Sequence, residues 1–280
     1  MQASIASPTR SFTVRRITGS KVEHVLDAVA AEEPLEVRVS YSFKDARMVE
    51  SMAVTMRTPG NDRELAAGFL HAERVLRSRE EVIGIRTLGT EPSNEIQVEL
   101  SATVEVEAWR MARKSFVNSS CGICGRRSLD ALGELSPAVV TDDFAVSAKS
   151  IQAMPRLLRD HQAGFEKSGG LHAAALINEN GIVEDVFEDI GRHNALDKLI
   201  GSRLLNGDIP LHRRTLFLSS RSSFELVEKA ALAGAPILAT VGAPSSLAIE
   251  AARKCGLTLI GFVREGRANV YAGDWRIHSE

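Results

Sequence analysis

The last third of the chain repeats one unit: a short apolar run, a polar turn, then a helical stretch. The apolar runs 215–218, 236–241 and 257–263 alternate with helical stretches at 225–233 and 247–254, which Ser222 and Ser245 introduce. A β-α-β-α-β order constrains the fold more than any other feature, because strands joined by crossover helices are parallel and need the helices to cover the sheet. Parallel strands place their carboxyl ends on one edge. That edge gathers Ser219-Ser220-Arg221-Ser222, Gly242-Ala243-Pro244-Ser245 and Arg264-Glu265-Gly266-Arg267, and open α/β sheets bind their ligands there. Two of the loops lead into helix N-termini, whose free N–H groups suit a phosphate or pyrophosphate, and Arg221, Arg264 and Arg267 add charged donors. The inferred ligand is anionic. Ser222-x-x-Glu225 also reads as an ordinary capping box, and arginines at strand ends are often only solvated. No single loop decides between these readings, but three on one edge favour a ligand site.

The first half is organised differently. Alternating segments at 35–39, 48–56, 82–88 and 95–106 read as antiparallel strands. Thr58-Pro59-Gly60-Asn61 forms a turn, and Asn61 with Glu64 resembles a capping box opening a helix through Leu65, Phe69 and Leu76. Later, Ser147 caps a helix with Ile151, Met154, Leu157 and Leu158 on one face, and Pro155 inside it predicts a kink. Strands at 171–177 and 182–187 flank Asn178-Glu179-Asn180-Gly181 as a hairpin. The expected organisation is therefore a β-rich N-terminal part with one helix (1–115), a cysteine loop and connector (116–146), and an α/β domain (147–280).

Charge excludes some classes of partner. The 34 Lys and Arg against 36 Asp and Glu leave a net charge of -2, so there is no overall field to draw in nucleic acid or an anionic membrane. Anion binding must be local. The first ten residues lack the apolar core of a secretory signal, and no apolar run is long enough to span a bilayer. With three cysteines, an odd number, the chain fits a reducing compartment better than a disulfide framework, and a cytoplasmic location is expected.

Two of those cysteines lie together in Cys121-Gly122-Ile123-Cys124-Gly125. Flanking glycines free the backbone and open the sulfur atoms to a partner, while Arg126, Arg127, Arg113 and Lys114 favour the thiolate. Attack on a sulfur donor is chemically reasonable there. A zinc half-site would need a second Cys or His pair, which the sequence lacks, so no metal is expected. The deaminase zinc pattern also fails: His172 follows the cysteines rather than preceding them, and Ala174 stands where the glutamate would be. Dithiol-disulfide exchange remains a rival. Cys255, before Gly256 at a helix end, reads as a small buried apolar residue.

The run Glu188-Asp189-Ile190-Gly191-Arg192-His193-Asn194 through Lys198 packs many polar groups between a strand and a helix. His193 reads equally as an acid–base group or ligand donor oriented by Asp189, and as a satisfied histidine in a polar network. Asn194 with Asp197 reads as a helix cap. His172, after Gly169-Gly170-Leu171, carries the same ambiguity.

Taken in order, Thr58-Pro-Gly-Asn-Asp62-x-Glu64, Cys121-Gly-Ile-Cys124-Gly, Gly170-Leu-His172-Ala-Ala-Ala, Glu188-Asp-Ile-Gly-Arg-His193-Asn, Ser219-Ser-Arg-Ser-Ser-Phe-Glu225, Val241-Gly-Ala-Pro-Ser245 and Gly256-Leu-Thr-Leu-Ile-Gly-Phe262 resemble the FdhD family of formate dehydrogenase accessory sulfurtransferases, from about Val54 to Tyr271. One departure is Arg74-Val75, where the family commonly has a glycine and an aliphatic residue. The resemblance implies a sulfur carrier that takes sulfur from a cysteine desulfurase and delivers it to the molybdenum bis(molybdopterin guanine dinucleotide) cofactor of formate dehydrogenase. It implies Cys121 as the persulfide carrier, Cys124 as a secondary thiol, and a cofactor-binding stretch of Phe262, Val263, Arg264, Glu265, Gly266 and Arg267. Added to these as candidate cofactor contacts are Ser219, Arg221, Ser222, Gly242, Ser245, His172 and His193. The implied fold is a three-layer α/β arrangement similar to cytidine deaminases but without their zinc ligands, and the implied assembly is a homodimer.

Overall fold

The computed structural model describes residues 7–44, 46–90, 93–104 and 143–279. Its chain begins with strands β1 (Thr9–Thr18) and β2 (Lys21–Ala30), an antiparallel hairpin turned at Gly19, where φ is 60°. The sequence reading placed no strand before residue 35. Here the apolar residues are divided between the two faces, Phe12, Val14 and Val25 on one and Ile17, Val22 and Leu26 on the other, so neither face alternates cleanly.

A second sheet is built from β3 (Glu33–Phe43), β4 (Ala46–Arg57), β5 (Val82–Thr87) and β6 (Glu95–Leu100), in the order β4-β3-β6-β5. Its outer pairs are antiparallel as expected, but β3 and β6 run parallel. Helix α1 (Asp62–Ala72) lies in the connection between them and covers one face, burying Leu65, Ala66 and Leu70 against Leu35, Val37, Val39, Ile96 and Val98. The helix stops short of Leu76, which is nevertheless buried. Asn61 does precede α1, but at φ 56° its side chain makes no capping bond, and the capping box is not formed.

The third sheet carries the parallel unit. After β7 (Val146–Ser147) come α2 (Ala148–Arg159), α3 (Ala163–Ser168), β8 (His172–Asn178), β9 (Val183–Asp189), α4 (Arg192–Leu205), β10 (Arg214–Leu218) and α5 (Phe224–Leu232). The chain ends with β11 (Ile237–Thr240), α6 (Ser246–Cys255), β12 (Thr258–Arg264), β13 (Arg267–Ala272) and β14 (Ile277–His278), which pairs with β7. Six strands form one sheet in the order β13-β12-β11-β10-β8-β9. As read from sequence, β10, β11 and β12 are parallel, β8 and β9 are a hairpin, and Ser147 caps α2 by accepting from the Ser150 amide. Pro155 lies inside α2, which is a single element through Arg159. Cys255 is buried at the end of α6.

Alternation sorts the strand side chains between two covered faces. Ala174, Leu176, Leu216, Leu218, Leu238 and Leu259 meet α4, α5 and α6, whereas Ala175, Phe217, Ile237, Ala239 and Ile260 meet Ile151, Met154 and Leu158 of α2. Three layers result. The N-terminal sheet is attached through α1, which crosses α4 so closely that a Cβ at Gly68 would lie 1.9 Å from the Asp197 carbonyl oxygen, and one at Gly201 the same distance from that of Glu64. Only glycine at both crossing points permits that approach.

Candidate functional site

The loops after β10, β11 and β12 are sewn together by backbone bonds. Gly242 donates its N–H to the Ser220 carbonyl (2.9 Å), and its own carbonyl accepts from Phe262 N (3.0 Å). A Cβ at Gly242 would sit 2.8 Å from Arg221 Cα, so this position requires glycine for close approach. Ser222 is buried between the first two loops, donating to the Ala243 carbonyl and accepting from Ser245 N. Its hydroxyl lies 3.5 Å from Thr240 Oγ1, and it does not occupy the cap position of the next helix. The cap position of α5 falls one residue later, on Ser223, whose side chain makes no bond to the first turn. Ser245 does cap α6, accepting from Ala248 N at 3.2 Å. Ser219 extends the β8 ladder, its amide donating to the Ala173 carbonyl and its hydroxyl accepting from Ala173 N.

The end of β12 is bulged between Gly261 and Arg264. Phe262 takes a left-handed φ of 52° and stays 39% exposed, a costly backbone state for an aromatic residue that the Gly242 bond helps hold. Val263 points into the core and is fully buried, so its side chain is not available to a ligand. Arg264 is tied down, donating to the carbonyls of Val241 (2.7 Å) and Val263 (2.8 Å). Glu265 and Gly266 make the exposed turn into β13, with Gly266 at φ 85°. Arg221 and Arg267 are exposed and have no ion pair among the described residues.

Topology resolves the two histidines. Because β8 runs antiparallel to β10, its first residue, His172, lies beside the carboxyl end of β10, and its ladder partner is Asp189 at the end of β9. Helix α4 then starts with Arg192 and His193, after Gly191, again without a side-chain cap. Both histidines thus share the edge with the three loops, and two helix N-termini there keep their first-turn N–H groups free of side-chain caps. Burial lowers the pKa of His172, Arg192 adding to it against Asp189. Burial takes His193 down to about 4, opposed by Glu225 and reinforced by Lys229, Arg192 and His172. Both are neutral at pH 7.

Asp189 does not orient His193. It is fully buried, paired with Lys198 Nζ at 2.8 Å, and accepts from the amides of Thr58 (3.1 Å) and Gly191 (2.8 Å) and from Asn194 Nδ2 (3.2 Å). Asn194 is inside α4 rather than at its cap and reaches the Met56 carbonyl. What faces His193 is the start of α5: Nε2 lies 3.3 Å from Ser223 Oγ and 3.4 Å from Glu225 Oε2. Glu225 in turn stands 3.6 Å from Lys229 Nζ, which bonds both oxygens of Asp197 (2.8 and 2.6 Å). Arg192, Ser223 and Glu225 join the candidate residues only through this packing. Among the described residues no three His, Cys, Asp or Glu side chains gather as metal ligands would. Cys121 and Cys124 lie outside the described residues.

Residues 30–278 match the model of the FdhD/NarQ family. The chain belongs to that family. It is 43% identical over 277 residues to the sulfur carrier protein FdhD of Streptomyces coelicolor, covering 96% of this chain and 95% of the relative. It is 39% identical over 269 residues to that of Saccharolobus solfataricus, covering 96% and 98%. In structure it is similar to a candidate formate dehydrogenase accessory protein from Desulfotalea psychrophila, with a TM-score of 0.76 and 25% identity, covering 97% of this chain and all of the other. The family match contains both cysteines of the Cys121–Cys124 pair, all three edge loops and both histidines.

Proposed function

We propose that this protein is a sulfur carrier for the maturation of formate dehydrogenase, and that it works in the cytoplasm as a homodimer. It accepts sulfur from a cysteine desulfurase as a persulfide on Cys121 and delivers it to the molybdenum bis(molybdopterin guanine dinucleotide) cofactor held as substrate at the sheet edge. The reading is carried by its membership of a family whose members are named sulfur carriers at 43% identity over 96% of the chain. The edge supports it, offering Arg221, Arg267 and two uncapped helix N-termini to the phosphates of a guanine dinucleotide. The three-layer arrangement is also compatible with a deaminase-like origin for the fold.

The carrier step is an exchange between sulfur atoms. The Cys121 thiolate attacks the terminal sulfur of the desulfurase persulfide, the S–S bond of the donor breaks, and the desulfurase thiolate leaves as Cys121 gains its own S–SH. Sulfur moves with no net oxidation, so no further reagent is required. Cys124 is assigned a secondary role in release. Cys255 is a poor competitor, since it is buried and burial, with Glu228, pushes its thiol pKa up.

Incubation with a cysteine desulfurase and cysteine, followed by peptide mass spectrometry, should find the added sulfur on Cys121. Label confined to Cys255 would overturn the assignment. The edge by itself also suits a cofactor-carrying chaperone that transfers no sulfur, and Cys121→Ala separates the two, because a pure carrier should still restore formate dehydrogenase activity.

A further inference from the structure

A chain of charges runs from the core to the edge through three side chains of α5 and α4. Asp197 and Lys229 are both buried and doubly bonded, Lys229 lies 3.6 Å from Glu225 Oε1, and Glu225 Oε2 lies 3.4 Å from His193 Nε2. Burial pulls Lys229 down, but Asp197 and Glu225 outweigh it and the net shift is upward, so Lys229 stays charged. That cation fixes the Glu225 carboxylate. Its Oε2 atom is buried and makes no hydrogen bond to any described residue, and His193 Nε2 stands 3.4 Å from it. A carboxylate only accepts, so its charge 3.4 Å from Nε2 favours the neutral tautomer that carries the proton there. Ser223 Oγ, 3.3 Å from the same nitrogen, can accept as well. The other ring nitrogen, Nδ1, has no hydrogen-bond partner among the described residues.

We propose that His193 is the hydrogen-bond acceptor of the cofactor site: Glu225, anchored by the Lys229–Asp197 pair, holds the imidazole as its Nε2–H tautomer, so that Nδ1 receives an N–H or O–H donor of the bound nucleotide. The proposal rests on the nucleotide-site reading of the edge. Glu225, Lys229 and Asp197 are positioning residues, and the ligand class is a nucleotide bearing an N–H or O–H donor within reach of α4. The groups facing the ring are Glu225 and Lys229 from α5, Arg192 from α4 and His172 from β8; all but Glu225 oppose its protonation, which keeps the acceptor available in mildly acid solution.

The test uses the full-length protein labelled with 15N at histidine, with His193→Gln assigning the resonance. Long-range proton–nitrogen correlation should report a neutral Nε2–H ring at pH 7 and still at pH 5.5, and an Nδ1 signal that moves on addition of guanosine diphosphate. A protonated or Nδ1–H ring at pH 7 overturns the proposal without any variant. Calorimetric titration of guanosine diphosphate supplies the second arm. Loss of one neutral acceptor should weaken binding about 5- to 10-fold. His193→Gln, whose amide reaches toward Glu225, should show that loss, and His193→Asn, whose oxygen occupies the place of Nδ1, should recover much of it. Glu225→Gln, which can donate to Nε2 and release the tautomer, should weaken binding as His193→Gln does. Wild-type affinity in His193→Gln and Glu225→Gln would refute the proposal and leave the nucleotide site standing. No binding by the wild type would remove both.

Discussion

Lys198→Met tests whether the junction between the N-terminal sheet and α4 is held as the structure implies. Lys198 and Asp189 are 2% and 0% exposed at the side chain and 2.8 Å apart, and Lys198 also donates to the carbonyls of Thr58 (2.9 Å) and Glu188 (3.3 Å). Methionine keeps the volume of the stem and removes the charge, leaving a buried carboxylate without its cation. Removing one partner of such a pair costs about 3–5 kcal/mol. Three donors stay on Asp189, from Thr58, Gly191 and Asn194, which places the expected loss near the lower end, about 3 kcal/mol. That is a fifth or more of the ~5–15 kcal/mol that holds a typical domain together. Urea unfolding followed by far-ultraviolet circular dichroism should show it as a lower midpoint at unchanged slope. Asp189→Asn combined with Lys198→Met removes both charges, so the double variant should lose less than the sum of the two single losses, by about 2 kcal/mol. A Lys198→Met midpoint matching wild type, or strict additivity in the cycle, would refute the reasoning.

Gly201→Ala drives a methyl group into the Glu64 carbonyl and should destabilise the protein by at least about 1–3 kcal/mol in the same assay, with Gly68→Ala behaving alike at Asp197. Acid should weaken the fold through His193: its pKa falls from 6.5 unfolded to about 4 folded, so the unfolded chain binds the extra proton, and stability that is complete above pH 6.5 drops by about 1.4 kcal/mol per unit as pH falls toward 4. Asp197, which burial raises to about 6, works in the opposite sense, so the measured quantity is the difference between wild type and His193→Gln, which should lack the histidine slope. Cys255→Ala should leave persulfide formation at the wild-type level and cost about 1 kcal/mol or less of stability, read by mass spectrometry and urea unfolding.

How much of this was legible in the sequence depends on what stabilises each element. Strands β10, β11 and β12 are buried on both faces and so appear as unbroken apolar runs between helices, which is why their direction and common edge followed from the pattern. Ser147 was readable as a cap because capping is local, one hydroxyl and one amide three residues on. Non-local partners were not readable. The orientation of β3 against β6 depends on the route the chain takes through α1, about which alternation says nothing. Ser222 and Glu225 have the spacing of a capping box, yet Ser222 is taken by the neighbouring loop and Glu225 faces Lys229 and His193. Asp189 has its partners at Lys198 and, 131 residues away, at Thr58, and the second could not be inferred from any local rule.

The polar run from Glu188 to Lys198 and the turn at Thr58 are therefore one object seen twice in the sequence. Asp189, Asn194 and Lys198 turn inward and bond Met56 and Thr58, whose hydroxyl in turn accepts from Ile190 N. Between these inward groups lie Arg192 and His193, the two residues of the run at the edge that carries the three loops. Each is flanked by a residue that the inward bonds fix: Gly191 by its amide to Asp189, and Asn194 by its side-chain Nδ2 to Asp189 and Met56. The N-terminal sheet thus acts as a clamp on the first turn of α4, setting where His193 stands relative to Ser223 and Glu225. It follows that substitutions in this run fall into two kinds with different signatures. Those at Asp189, Asn194 and Lys198 should lower stability and ligand affinity together. Those at Arg192 and His193 should lower affinity alone at neutral pH. A single alanine scan read only by formate dehydrogenase activity would merge the two, and unfolding measured beside nucleotide titration would part them.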